Sequence, residues 1–118
     1  MPDTIEKISN DLKNFAIERD WEQFHTPKNL SMALIAEAAE LIEHFQWLTP
    51  EQSKELSGEK LKDVSYEMAD IFIYLLRIAE QLDVDLVTAT REKMAINEHR
   101  FPASEKGQQN RKDKKYTE

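Results

Sequence analysis

Apolar residues recur along most of this chain at helical intervals, and nowhere over a long stretch do they alternate as in a half-buried strand. In "DTIEKISNDLKNFAIERD", Ile5, Ile8, Leu12, Phe15 and Ala16 fall on one side of a helix, with Asp3 or Thr4 placed to cap its start. "WEQFHTPKNLS" then breaks the pattern around Pro27 and reads as an ordered loop. A second helix, capped by Asn29 or Ser31, is expected to run to about Trp47 along a stripe of Leu34, Ala38, Leu41, Ile42 and Phe45. "LTPEQSKELSGE" leaves room for a short helical turn after Pro50. A third helix, from about Lys60 to Leu82, sets Leu61, Val64, Met68, Ile71, Phe72, Leu75, Ile78 and Leu82 at core spacing. The fourth, "DLVTATREKMAINEHR", turns Leu86, Ala89, Met94 and Ile96 inward, carries Lys93, Asn97 and Arg100 in another row, and stops before Pro102. The expectation is one all-α domain over residues 1–102, a helical bundle, followed by a polar tail over 103–118 in which Tyr116 and Thr117 are placed to order against a neighbouring chain.

Composition narrows this further. The chain has 118 residues, only two glycines and no cysteine, which disfavours a sheet with many tight turns and excludes disulfides, thiolate metal sites and a cysteine nucleophile. Any metal must therefore be held by oxygen or histidine. The apolar runs are too short to span a bilayer and no basic-then-apolar leader opens the chain, so the expectation is a cytoplasmic protein without a membrane partner. Net charge is −7, and the last sixteen residues hold five Lys/Arg against three Asp/Glu, which leaves about −9 on residues 1–102. Such a body repels nucleic acid, and it suits a divalent cation that carries a phosphorylated small molecule.

Within the apolar stretch "SMALIAEAAELIEHFQW" stand two carboxylates, Glu37 and Glu40, and the next long helix repeats the spacing at Glu67 and Asp70. Residues three apart share a helix face, with Cβ atoms roughly 5–6 Å apart. With 23 acidic residues in the chain, about four such pairs arise by chance, so the neighbours decide. Those neighbours are small or apolar: Ala33, Leu34, Ala36, Ala38 and Ala39 in one case, Met68, Ala69, Ile71 and Phe72 in the other. Alanines let helices approach closely, so the two pairs can meet across a bundle, and four carboxylates around one cavity repel and take up protons unless a hard cation intervenes. Mg²⁺, with Mn²⁺ as a substitute, prefers oxygen ligands and keeps waters for a phosphate-bearing substrate. Tyr74 lies one turn beyond Asp70, where its hydroxyl can brace a carboxylate or touch a phosphate.

One other reading stays open at this point, and a second fails on its motif count. In the first, both acidic pairs lie on solvated faces of a non-catalytic interaction module with tryptophans as docking anchors. A di-iron bundle needs two Glu-x-x-His motifs, and the chain has a single one, Glu22 to His25, just before Pro27.

The ordered set Glu37-x-x-Glu40 and Glu67-x-x-Asp70, with "ERDWEQFHTPKNL", "HFQW", "YEMADIFIYLL", "KMAINEHRFP" and the terminal "KYT", resembles the all-α nucleoside triphosphate pyrophosphohydrolases, the MazG-like group, and within it the dCTP pyrophosphatase branch. The resemblance implies hydrolysis of a nucleoside triphosphate to monophosphate and pyrophosphate, with Mg²⁺ bound by Glu37, Glu40, Glu67 and Asp70. It further implies phosphate contacts from Lys93 and Asn97, a base pocket lined by Trp21, Trp47 and His25, and assembly as a homodimer or homotetramer whose pocket is completed by another subunit. One departure is Leu12, which stands where dCTP-specific relatives carry a base-contacting histidine.

Overall fold

Residues 4–103 are described by the computed structural model, and among them five helices and no strand form: α1 (Ile5–Glu18), α2 (Pro27–Glu43), α3 (Pro50–Ser53), α4 (Gly58–Gln81) and α5 (Leu86–Arg100). Asp3, Tyr116, Thr117 and the tail beyond residue 103 lie outside the described residues. The chain divides into two compact units, one through Val84 and one from Asp85 onward.

Start and stop signals set the helix limits. Thr4 caps α1 by accepting the Lys7 N–H at 3.0 Å. α2 begins earlier than its periodicity suggests. Thr26, not Asn29 or Ser31, is the cap, accepting the Asn29 N–H at 3.1 Å, and Pro27 fills the first helical position, where its missing N–H costs nothing. The same helix ends at Glu43, and the following turns place Trp47 outside it. The turn expected after Pro50 is α3, opened by a reciprocal Thr49–Gln52 capping box.

α1 and α4 both close in the same way. Asp20 (φ 56°) and Asp83 (φ 55°) adopt left-handed backbone after the C-cap, a conformation that aspartate tolerates better than most residues. This lets the Trp21 N–H reach the Ala16 carbonyl at 2.9 Å and the Val84 N–H reach the Ala79 carbonyl at 2.8 Å. The accompanying hydrophobic contact at α1 is Phe15 edge-on to Trp21, with ring centroids 5.6 Å apart.

In the first unit α4 packs chiefly on α2 and secondarily on α1. Three juxtapositions show that α2 and α4 run antiparallel: His44 beside Lys60 at 3.3 Å, Glu37 beside Asp70, and Glu22, just before α2, paired with Arg77. The core is small, consisting of Ala16, Leu30, Val64, Leu76 and Ala79, and the guanidinium of Arg77 is buried with it. Here the structure corrects the sequence reading of α4. Leu61, Met68, Phe72, Leu75 and Leu82 are exposed, because this helix is apolar around most of its circumference and only one side of it meets α2 and α1. In the second unit, Met94 and Ile96 of α5 are likewise exposed, contrary to the expectation that they face inward.

Candidate functional site

α2 and α4 bring the acids together. One oxygen each from Glu37, Glu67 and Asp70 lie within 4.8 Å of one another, and Glu40, one turn along α2, stands beside Glu37. The Oε2 atoms of Glu37 and Glu67 are buried without a hydrogen-bond partner. An unpartnered buried polar atom costs about 1–3 kcal/mol, and more if charged, so the cluster as it stands is an incomplete arrangement. With every carboxylate ionised there is no donor among them. A proton on Glu37 supplies one, and its pKa is pushed up to about 7, first by hydrogen bonding to Glu40 and Glu67, then by burial and by the charges of Glu40 and Asp70. A divalent cation satisfies the same oxygens without the proton. Their number, hardness and orphaned state fit such an ion.

Tyr74 follows Asp70 by one turn on α4. Burial, then the charges of Glu37, Asp70 and Glu40, raise its pKa, so the phenol stays protonated and can donate.

The aromatic residues are held differently. Trp21 and His25 sit in one turn between α1 and α2, closed by the His25 N–H on the Trp21 carbonyl at 3.1 Å, with ring centroids 5.9 Å apart. The Nδ1 of His25 is buried without a partner, and burial, then the neighbouring Arg77 charge, lowers its pKa, so the ring is neutral near pH 7. Trp47, in the turns after α2, is 86 % exposed and has no ring partner among the described residues. Lys93 is exposed and Asn97 half-buried, one turn apart on α5 of the second unit.

The sequence reading missed Arg77. Its side chain is 3 % exposed and lies between Glu22, with which it pairs through Nη2, and Glu80, at 3.3 Å through Nη1. Lys13 of α1 joins Glu80 at 3.3 Å. The signal was present: "LLRIAEQ" puts a charge in an apolar run, as "ALIAEAAE" does for Glu37. With its carboxylate committed to Arg77, Glu22 is not free to serve the di-iron motif it superficially opens.

The sequence pattern of the MazG-like family matches residues 32–118. The chain belongs to the MazG-like family. It is 43% identical over 102 residues to human dCTP pyrophosphatase 1, a match covering 85% of this chain and 60% of the relative. The protein of the same name from Bos taurus is 43% identical over 101 residues, again with 60% of the relative covered. The chain thus spans about three fifths of the length of these curated relatives. A solved pyrophosphatase from Archaeoglobus fulgidus superposes with a TM-score of 0.80 at 33% identity, covering 86% of this chain and 95% of that one. The MazG-like assignment agrees with the all-helical fold of the described residues. Among the described residues, no helix is long and apolar enough to cross a membrane.

Proposed function

We propose that this MazG-like chain is a cytoplasmic nucleoside triphosphate pyrophosphohydrolase that cleaves a deoxynucleotide, dCTP or a related or modified dNTP, to the monophosphate and pyrophosphate. The observation that carries the reading is the convergence of Glu37, Glu67 and Asp70 with two buried, unpartnered oxygens. The names of the dCTP pyrophosphatase and pyrophosphatase relatives support it.

Glu37, Glu67 and Asp70 would hold Mg²⁺, or Mn²⁺ in its place. When bound, such an ion offsets phosphate charge and makes water more acidic. Glu40, beside Glu37, is the carboxylate left to orient the attacking water and take its proton. The water oxygen bonds one phosphorus of the α–β anhydride, that phosphorus releases the bridging oxygen, and the bridging oxygen keeps the electron pair. Tyr74 is placed to donate to a phosphate oxygen. Lys93 and Asn97, an ammonium and an amide on one side of α5, suit phosphate contacts, an assignment that rests on the family resemblance. Trp21, Trp47 and His25 supply faces and an edge for the base. Stacking on aromatic rings contributes roughly 1–3 kcal/mol per base.

A pyrophosphate-release screen over the common and modified dNTPs with Mg²⁺ tests the reaction. The expected outcome is monophosphate and pyrophosphate in equal amounts. Diphosphate with orthophosphate would refute the cleavage site, and no turnover of any dNTP, with no stabilisation by Mg²⁺ and a non-hydrolysable analogue, would favour the non-catalytic interaction module. Leu12 in place of a base-contacting histidine makes the breadth of that screen informative.

The assembly follows from unburied apolar surface. Met32, Ile35 and Ile42 form an exposed row on α2, where Ile35 is 65% accessible, and Met68 and Phe72 are exposed on α4. Surface of this kind on a small domain is best covered by a second copy, and the chain is expected to be a homodimer or a homotetramer. Light scattering should give twice or four times the 13.8 kDa chain mass, and an Ile35→Lys, Ile42→Lys variant should dissociate. A monomeric wild-type protein at micromolar concentration would contradict this assembly.

A further inference from the structure

Arg77 is the most deeply buried charge of the described residues, and the reaction proposed above gives it no task. It stands on α4 seven residues after Asp70, with Tyr74 between them. Residues at i, i+4 and i+7 share a helix face, so all three lie on one stripe, and Arg77 is displaced about 10 Å along the axis from the acids. That displacement is comparable to the reach from the triphosphate to the base of a nucleotide. What Arg77 holds at that level is Glu22, a residue inside the turn that carries Trp21 and His25.

We propose that Arg77 is a positioning residue: through Glu22 it fixes the Trp21–His25 turn as the wall that receives the nucleobase. This deepens the pyrophosphohydrolase reading and rests on it for the role of the two rings.

The geometry has the features of a clamp. The guanidinium is fixed from its own helix by Glu80, which Lys13 of α1 holds in turn, so α4 and α1 both bear on it. Glu22 is 38% exposed in its side chain whereas Arg77 is 3% exposed, so the fixed partner is the arginine and the gripped partner is the loop. The turn has little else to hold it from α4. Its other bonds are local: the Trp21 N–H on the Ala16 carbonyl, those from Phe24 and His25 to Trp21 and Glu22, the Asn29 amide on the Phe24 carbonyl, and the Phe15 ring against Trp21. Burial, then the same guanidinium, lowers the His25 pKa against the opposing charge of Glu22, so the imidazole edge is neutral toward an uncharged base.

The test uses the full-length chain with Arg77→Met, which keeps the stem volume while Glu22 and Glu80, both partly solvated, rehydrate. A clamp predicts a KM for the best dNTP raised about tenfold with kcat changed by less than about threefold. In a Trp47→Phe background, where Trp21 is the single tryptophan, acrylamide quenching of the substrate-free protein should rise about twofold. Arg77→Lys, which offers one donor direction in place of a planar fork, should recover only part of the loss. Should Arg77→Met fail to fold, Glu22→Gln carries the same test, since it keeps size and an acceptor at the same place. A lower melting temperature with KM, kcat and quenching unchanged would overturn the proposal in favour of a purely structural ion pair. A fall in kcat at constant KM would overturn it as well. Wild-type protein that hydrolyses no dNTP would refute the reaction, and the quenching measurement, which needs no substrate, would still decide the clamp.

Discussion

Glu67→Gln is expected to lower kcat for dNTP hydrolysis at least about a thousandfold while the helical fold is retained. The reason lies in where its oxygens point. One converges with Glu37 and Asp70, and Oε2 is buried with nothing to accept from. Glutamine has the same shape without the charge, so the site loses a cation ligand but the α2–α4 contact keeps its packing. The new amide can also donate to a neighbouring carboxylate, which relieves repulsion in the metal-free protein. Its melting temperature should therefore hold or rise by about 3 °C. Single-turnover hydrolysis beside circular dichroism separates the two effects. Activity within about threefold of wild type would remove Glu67 from the machinery.

Metal binding should be linked to the loss of a proton from Glu37. The carboxyl titrates near its ordinary 4.5 in the unfolded chain and at about 7 in the folded, metal-free protein. The folded state therefore binds the proton more tightly. This contribution to stability is fully present below about 4.5 and is lost as pH rises through about 7. A cation displaces that proton. Below about 7, Mg²⁺ affinity should fall as pH falls, by up to about tenfold per pH unit, and above it the dependence should vanish. Calorimetry at pH 6 in two buffers of different ionisation enthalpy should show release of a fraction approaching one proton, and Glu37→Gln should abolish that release. Binding at pH 6 with no proton released would contradict the coupling.

The meeting of the acids was more legible than the core. A pair of acids three residues apart among alanines says that a helix presents carboxylates where another helix can come close, and Glu37, Glu67 and Asp70 do meet. What spacing does not fix is how the fourth acid sits, because Glu40 lies beside Glu37 while the other three form the tightest group. Helix existence followed from periodicity. The α2 start was obscured by Pro27, which reads as a break, although proline behind a threonine cap is a start signal. The exposed face of α4 was misread because leucine, methionine and phenylalanine occur on several sides of it, and periodicity cannot say which side meets a neighbour in the same chain. Arg77 was hidden for a related reason. Its partner Glu22 is 55 residues away, and a single sequence carries no mark of that pairing beyond a charge among leucines.

In the proposed function, three acids from two helices make a divalent-cation site for a triphosphate. Mn²⁺, read by paramagnetic resonance, tests it most directly when titrated into wild type, Glu67→Gln and Asp70→Asn with a non-hydrolysable dNTP present. Saturable binding to wild type and affinity weakened at least about tenfold in both variants is the predicted result; equal affinity in all three proteins, or none in wild type, would contradict it.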